Sequence, residues 1–508
     1  MLLEADYIVI GCGASGMNFV DVMLTEAPRD TTFIYVDKRP LPGGHWVDSY
    51  DFVRLHMRSA LYGVVSEKLL EDQDPNVRRA TGAQIKAYFQ RVLEKHLASR
   101  RVQFYGQYSY NESTNEIRSI MGGETHKLKW NRKLVDTSFL TSPVPSVNPP
   151  SFHVEDTPEI KFCPVNGIAK IHGGNNLLKK FMIIGAGKTS MDAIVFLLNH
   201  GVDPDSISWI RPRETWLFYR DDDGKNGIGG VRGFGVENIG IFADSTKTVD
   251  DFFLLGERKG IFLRIDEDHM PEMFRGAAIS PHEIMLCRKV KNIIKNGRIK
   301  SIEKGRIIFE NGSMIATDSD TLHVNCSSIG LTTRKPIPIF TSDRITIQMV
   351  FAFQPALGAA VLGYIEAHYG EKLDFANEVA IPLAYPKTKF EFFNSIRISY
   401  VNLDRWLRYF HSWLNTIRLF SGSKLNPPLW FFQELKLYYQ YNWQDRNIFN
   451  GTPGHRLFEE VYEREFPNGH PFATTGWEKK TTLTIYCPKL FLPKILSTSS
   501  MKMVQYNN

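Results

Sequence analysis

The sequence predicts an α/β protein: two Rossmann-like dinucleotide-binding domains followed by a C-terminal, mainly helical extension. Three observations predict it. A strand, a Gly-rich turn, a helix and a second strand open the chain. The same pattern recurs from residue 181. From about residue 390 the periodicity becomes helical and aromatic.

A chain of 508 residues is long enough for two or three domains. Apolar residues make up 43% and charged residues 23%, a globular composition. The net charge of +6, without any Lys/Arg block, argues against a nucleic-acid partner. The five cysteines, Cys12, Cys163, Cys287, Cys326 and Cys487, form no C-x-x-C pair. That excludes a zinc ribbon and a thioredoxin-type redox pair, and no metal site is expected. A sparse, odd set suits reduced thiols. Strand-like "DYIVIG" from Asp6 leaves no room for a secretory leader, and no apolar run reaches the ~18–20 residues of a membrane span. A cytoplasmic protein is therefore expected.

In the first unit, "YIVIG" (7–11) reads as a strand, "MNFVDVML" as the start of a helix and "TTFIYVD" (31–37) as the next strand. "IKAYFQRVLEKHL" (85–97) has helical spacing, while "VQFYG" (102–106) and "KLVDTSF" (133–139) read as further strands. Six prolines between Pro143 and Pro164 suit a crossover between domains. The second unit follows: strand "FMIIG" (181–185), helix "TSMDAIVFLLNHG" (189–201) with a Gly stop, and strand "ISWIRPR" (207–213). From Gly11 to Asp37, and again from Gly185 to Arg211, the span is 26 residues, which marks an internal repeat of one supersecondary unit. Residues 220–245 read as a long loop, 297–315 as a β-meander with an Asn-Gly turn, and 356–370 as a small-residue helix. The expected division is 1–165 and 321–385 for the first domain, 166–320 for the second, and 386–508 for the helical, aromatic-rich region.

"GCGASG" (11–16) is a G-x-G-x-x-G between a strand and a helix. Gly11 permits the tight turn, Gly13 lets the backbone approach a pyrophosphate, and Gly16 lets helix and strand pack closely. Ala14 and Ser15 open the helix, whose free N–H groups and positive dipole end favour phosphate. Asp37, followed by Lys38, ends the second strand where a carboxylate accepts ribose hydroxyls. "MIIGAGKTSMD" (182–192) looks at first like an ATPase phosphate loop. That motif needs a glycine at 182, where Met182 stands inside the strand. Gly185 and Gly187 instead repeat the first turn, with Lys188 and Thr189 opening the helix and Ser190 in the third-glycine place. Arg211 occupies the position of Asp37, with Arg213 just beyond. A guanidinium there pairs with a ribose 2′-phosphate that a carboxylate would repel. The first site therefore reads as one for FAD and the second as one for NADPH.

"PLPGGHW" (40–46) adds Gly43, Gly44, His45 and Trp46 shortly after Asp37. Together with Gly185-x-Gly187-x-Thr189-x-x-Asp192, this resembles the flavin-containing monooxygenases and their two-domain flavoprotein relatives. The resemblance covers about residues 1–385. It implies that the Gly-Gly-x-Trp loop lies along FAD and that the second turn binds NADPH. "CSSIGL" (326–331), with Gly330, stands where the family returns the chain to the FAD domain. The linker departs from the family: Phe162 and His172 are present, but not in the F-x-G-x-x-x-H spacing of oxygenating members.

"DSYDFVRLHMRSALYGV" (48–64) follows the FAD loop, and the resemblance places it near the flavin. Arg54, His56 and Arg58 are the candidate catalytic residues. A histidine of ordinary pKa moves protons at neutral pH. The aromatic helices at 405–443 set core packing against a pocket wall or a membrane-surface contact through Arg405, Arg408 and Arg418 beside Trp406 and Trp413. The expected function is NADPH-dependent, FAD-mediated monooxygenation of a small lipophilic molecule, with molecular oxygen as co-substrate. A flavin reductase or oxidase without oxygen insertion, and a non-catalytic redox sensor, remain open.

Overall fold

Strand β1 (Leu2–Ile10) is apolar on both faces in its second half and runs through the middle of a sheet. It feeds α1 (Ala14–Glu26) and then β2 (Phe33–Asp37), every residue of which is buried. The computed structural model describes residues 1–70, 79–172, 180–221, 248–328 and 330–421. Helix α2 (Gly82–Ala98) starts at a capping box made by Thr81 and Gln84 and leads into β3 (Val102–Gly106). Strands β4 (Tyr108–Asn111), β5 (Glu116–Ser119) and β6 (Thr125–Asp136) complete the order β3-β2-β1-β6-β5-β4. β4 and β5 are an antiparallel hairpin laid on the first half of β6, and the parallel strands carry the core of the unit.

The proline-rich crossover is not structureless. It holds β7 (His153–Val154) and β8 (Lys161–Pro164), and a short helix, α3 (Gly167–His172), follows it. The second unit then runs β9 (Lys180–Ile184), α4 (Lys188–Asn199) and β10 (Ile207–Ile210). Pro212 lies just beyond β10, where its missing N–H cannot continue a ladder. β11 (Thr215–Tyr219), β12 (Phe262–Leu263) and β13 (Met273–Ile279) form a separate three-stranded sheet. β14 (Asn292–Ile294) returns to the main sheet of this unit. The expected meander is β15 (Ile299–Glu303), β16 (Arg306–Phe309) and β17 (Met314–Ala316), with β7 at its edge. β18 (Thr321–Asn325) completes the all-parallel order β14-β10-β9-β18-β8.

Strand pairing moves two expected boundaries. β7 and β8 pair within the sheets of the second unit, although they precede residue 166. β18 also stays in the second sheet, although it follows residue 320. The chain rejoins the first sheet at β19 (Arg344–Thr346), alongside the end of β6. The small-residue helix Pro355–Tyr369 then lies on α1, where a Cβ on Gly363 would come 2.9 Å from the Phe19 carbonyl. Glu366 of this helix accepts from Tyr7 Oη (2.9 Å) and pairs with Lys133 (2.8 Å), which pins the helix to the sheet.

The helix Lys389–Thr416 departs from helical geometry at Phe410 and is followed by Arg418–Ser421. It buries Phe392 and Phe393 among Trp216, Phe218, Phe253, Phe262 and Phe274. Trp406 is fully buried, and its indole donates to the Val379 carbonyl. Arg405 donates to the Glu378 carbonyl, while Arg418 donates to the carbonyls of Ala60, Tyr62 and Val64. Trp413 stacks on Tyr364 at 4.2 Å. These residues are used in packing, so the membrane-surface alternative loses Trp406 and Arg418. The second aromatic segment, 429–443, lies outside the described residues, as do most of the 220–245 loop and Cys487. Among the described residues, no helix is long and apolar enough to cross a membrane.

Candidate functional site

The two turns are the same structure built twice. Gly11 N–H donates to the Val36 carbonyl (2.8 Å), and Gly185 N–H to the Ile210 carbonyl (3.0 Å). Gly11 has φ +107° and Gly185 φ +126°, backbone that favours glycine. Gly13 and Gly187 then cap α1 and α4 with nearly identical angles, φ −92°, ψ −172° and φ −91°, ψ −177°. Each turn lies where the strand order reverses, between β1 and β6 or between β9 and β18. That crevice is where open α/β sheets bind ligands. The wall opposite each first glycine comes from the neighbouring strand. A Cβ on Gly11 would lie 2.2 Å from Thr137 Oγ1, and one on Gly185 would lie 3.0 Å from the Cys326 carbonyl. Thr137 had no signal in the sequence, because its role is set by pairing across 127 residues (Thr137 Oγ1 to Ile10 O, 2.7 Å).

The helix starts show what the turns are free to hold. The helices that begin after Thr81, Thr248, Ser280 and Thr388 all carry capping boxes. α1 and α4 have neither a side-chain cap nor an acidic residue in the first turn. Their leading N–H groups take no side-chain oxygen, the arrangement that suits an anion; in α4 the Ser190 N–H does bond the Gly187 carbonyl (3.1 Å). Ala14 and Ser15 open α1 in partly exposed positions, and Gly16 is buried with its Cα against the Gly11 carbonyl.

Asp37 is buried at the end of β2. Its carboxylate accepts from Cys12 N–H (2.7 Å) and Arg39 N–H (2.8 Å), which fixes it beside the first turn, while Lys38 is exposed. The Gly43-Gly44 loop closes over that turn. Gly43 N–H donates to the Cys12 carbonyl (2.8 Å), and a Cβ on Gly13 would meet Gly44 Cα at 3.3 Å. Gly43 and Gly44 both have positive φ, and Trp46 is anchored by its indole on Tyr62 Oη (2.6 Å). His45 is exposed.

The second site is charged differently from its expectation. Arg211 directly follows β10, at the place where Asp37 ends β2, but its guanidinium is buried. It lies 2.9 Å from Glu214 Oε1, 3.6 Å from Asp266 Oδ2 and over the Trp209 ring. Lys295 shares both carboxylates. Arg213 is exposed, and Gly330, with φ +68°, approaches Arg275. Lys188 turns its ammonium onto Asp192 and Glu283, Thr189 is partly exposed, and Ser190 donates to the Gly187 carbonyl (2.6 Å). Trp209, which sequence reasoning missed, fixes the turn by donating to the Gly185 carbonyl (2.6 Å).

Segment 48–64 joins the two units. Tyr50 Oη donates to Asp192 Oδ2 (2.6 Å), and Phe52 stacks on Phe196 at 4.3 Å. Arg54 is exposed and lines a cavity beside α4. His56 is half-buried. Loss of solvation and the Lys188 charge, against Asp192, push its pKa down to about 4. The expectation of an imidazole of ordinary pKa is thereby corrected: at neutral pH the ring is uncharged and a weak base. Arg58 stands apart from that cavity, at the start of the turn Ser59–Leu61. The described cysteines, Cys12, Cys163, Cys287 and Cys326, are buried free thiols.

No family model matches the chain. It is 33% identical over 443 residues to the uncharacterized proteins Mb2023 of Mycobacterium bovis and Rv2000 of Mycobacterium tuberculosis, covering 84% of this chain and 79% of each relative. Among solved structures it is similar to the polycyclic ketone monooxygenase of the fungus Thermothelomyces thermophila. The TM-score is 0.50 at 11% identity, over 78% of this chain and 81% of the other.

Proposed function

This chain belongs to the family of the mycobacterial protein Rv2000, and from the fold that it shares with a flavin monooxygenase we propose that it is an NADPH-dependent FAD flavoprotein, a monooxygenase of small molecules. The single observation that carries the reading is the pair of equivalent, uncapped Gly turns at the two switch points. One turn ends beside a buried carboxylate and the other beside arginines.

The residues fit the two cofactors. Gly11, Gly13, Ala14, Ser15 and Gly16 bring the start of α1 to the FAD pyrophosphate. Asp37 keeps acceptor capacity for a ribose, since each of its oxygens takes one backbone N–H. Gly43, Gly44 and Trp46 close the loop over that site. Gly185, Gly187, Thr189 and Ser190 would form the NADPH turn, and exposed Arg213, two residues beyond Arg211, would be the cation offered to a 2′-phosphate. FAD supplies the two-electron chemistry and NADPH the reducing equivalents. The chain's own part is to hold both, to fix their approach through Tyr50 and Asp192, and to present Arg54, His56 and Arg58 from the intervening segment.

The test is spectroscopic. Purified protein should carry flavin absorbance that NADPH bleaches without oxygen. Readmitted air should then consume one O₂ per NADPH without stoichiometric hydrogen peroxide when substrate is present. Protein without flavin, or flavin that NADPH does not bleach, refutes the proposal. Stoichiometric peroxide with every substrate favours a second reading, an oxidase or reductase, which the altered linker spacing around Phe162 and His172 supports.

A further inference from the structure

Besides α1 and α4, the helix Pro355–Tyr369 begins with neither a side-chain cap nor an acidic residue in its first turn. Two contacts fix its direction. Gly363 lies against Phe19 and Val22 of α1, and His368 meets Glu26 at 3.0 Å, so the two helices advance together and run parallel. Gln354, at the N-cap, therefore stands level with the start of α1, at the end of the sheet where Gly11 and Gly13 turn. The strand before it agrees. β19 ends beside β6, and Ile347 N–H donates to the Asp136 carbonyl (2.8 Å), next to Thr137. Axes of packed helices lie about 8–10 Å apart, so the two uncapped starts are neighbours.

This second start is rich in donors that nothing takes. Pro355 brings no N–H. Ala356 and Leu357 are buried, and among the described residues no oxygen accepts their N–H groups. Gly358 is the first to donate, to the Gln354 carbonyl (2.9 Å). The Gln354 side chain is only 6% exposed, does not fold back onto the helix, and makes no hydrogen bond among the described residues. A buried polar group without a partner is costly, so the cluster suits an acceptor that a ligand brings. The turn that carries it is held from outside. Ala352 N–H donates to Ser399 Oγ (2.9 Å), and Asn402 Nδ2 donates to the Val350 carbonyl (2.7 Å).

We infer that Gln354 contacts the flavin ring: its side-chain amide, with the Ala356 and Leu357 N–H groups, donates to the N1–C2=O edge, while the start of α1 holds the pyrophosphate. This rests on the flavoprotein reading. A ribityl chain carries the ring away from the pyrophosphate by a distance of the same order as the spacing of the two helix starts. A flavin gathers negative charge at its N1–C2=O edge when reduced. Donors fixed in advance at that edge favour the reduced form over the oxidised one, and so raise the reduction potential. Gln354 would thus set how readily the bound flavin accepts electrons.

The midpoint potential of the flavin in full-length protein, measured without oxygen against reference dyes, tests the inference. Gln354→Met keeps the length of the side chain and removes the donor. It should retain flavin and shift the equilibrium from reduced to oxidised flavin at least tenfold, a fall of about 30 mV for two electrons. Thermal unfolding of the flavin-free variant should not fall, because the amide that is lost has no protein partner. A merely structural residue would do the reverse, lowering the Tm and leaving the potential where it was. Gln354→Leu carries the same test if Gln354→Met does not fold. An unchanged or raised potential in a yellow variant, or a folded variant that holds no flavin, overturns the inference and leaves the flavoprotein reading intact. Colourless unmutated protein that takes up no added FAD overturns both.

Discussion

Replacing Gly187 with alanine should weaken NADPH without harming the fold. Its φ of −91° with ψ near −177° is ordinary extended backbone, open to any residue, and a Cβ there would meet no atom within 4 Å. Neither strain nor clash opposes the methyl group. Loss of unfolded-chain entropy instead favours the variant by roughly 0.4–1 kcal/mol. The open space is the approach that the pyrophosphate needs. Losing one charge-assisted bond from the first N–H groups of α4 costs about 1.5–3 kcal/mol, a rise on the order of 10- to 150-fold in the NADPH Kd. Thermal unfolding of the protein without nucleotide gives the first quantity, and the NADPH dependence of anaerobic flavin bleaching gives the second. A Tm lowered by several degrees, or an unchanged NADPH dependence, refutes the reasoning. Gly13 is a poorer place for the same test. It has the same backbone, but its Cβ would press on Gly44 Cα at 3.3 Å, so the loop and the ligand would be disturbed together.

Arg211→Ala leaves Glu214 beside Lys295 and Asp266 beside Lys295 and His269, and should cost about 3–5 kcal/mol in urea unfolding, the scale for breaking a buried ion pair. Arg213→Ala, at an exposed position, should leave unfolding within ~0.5 kcal/mol while lowering the preference for NADPH over NADH; unchanged nucleotide selectivity would remove Arg213 from the 2′-phosphate site. A double-mutant cycle of Tyr50→Phe and Asp192→Asn should return a coupling of about 1–3 kcal/mol, read from unfolding, and additive losses would show that their 2.6 Å bond does not join the units. His56 has a folded pKa of about 4 against an ordinary 6.5, so the unfolded chain takes the proton first as pH falls. Its contribution is complete above pH 6.5 and lost on the way to pH 4, about 1–3 kcal/mol for a half-buried ring; His56→Gln should flatten that part of the stability profile, and an unaltered slope would refute the assignment.

What the sequence by itself determined is what short-range pattern controls. The 26-residue span to Asp37 and to Arg211 came through as one register, with Gly11 and Gly185 bonded alike to the second strands. Met182 sits inside β9, as the exclusion of an ATPase loop required. Glycines at positive φ, capping signals and apolar runs all act within a few residues, so one chain read in order displays them. Contacts across sheets were invisible. Nothing local announces that Thr137 and the Cys326 carbonyl back the two first glycines, or that β18 lies between β9 and β8. Only the tertiary structure decided the fate of the charges. Arg211 reads as a phosphate ligand in the sequence, but Glu214, Asp266 and Lys295 enclose it. His56 reads as a proton carrier, but burial and the Lys188 charge keep it neutral. A side chain's type sets what it is able to bind, while the partners that reach it first, and the water that it loses, depend on where distant strands bring their ends.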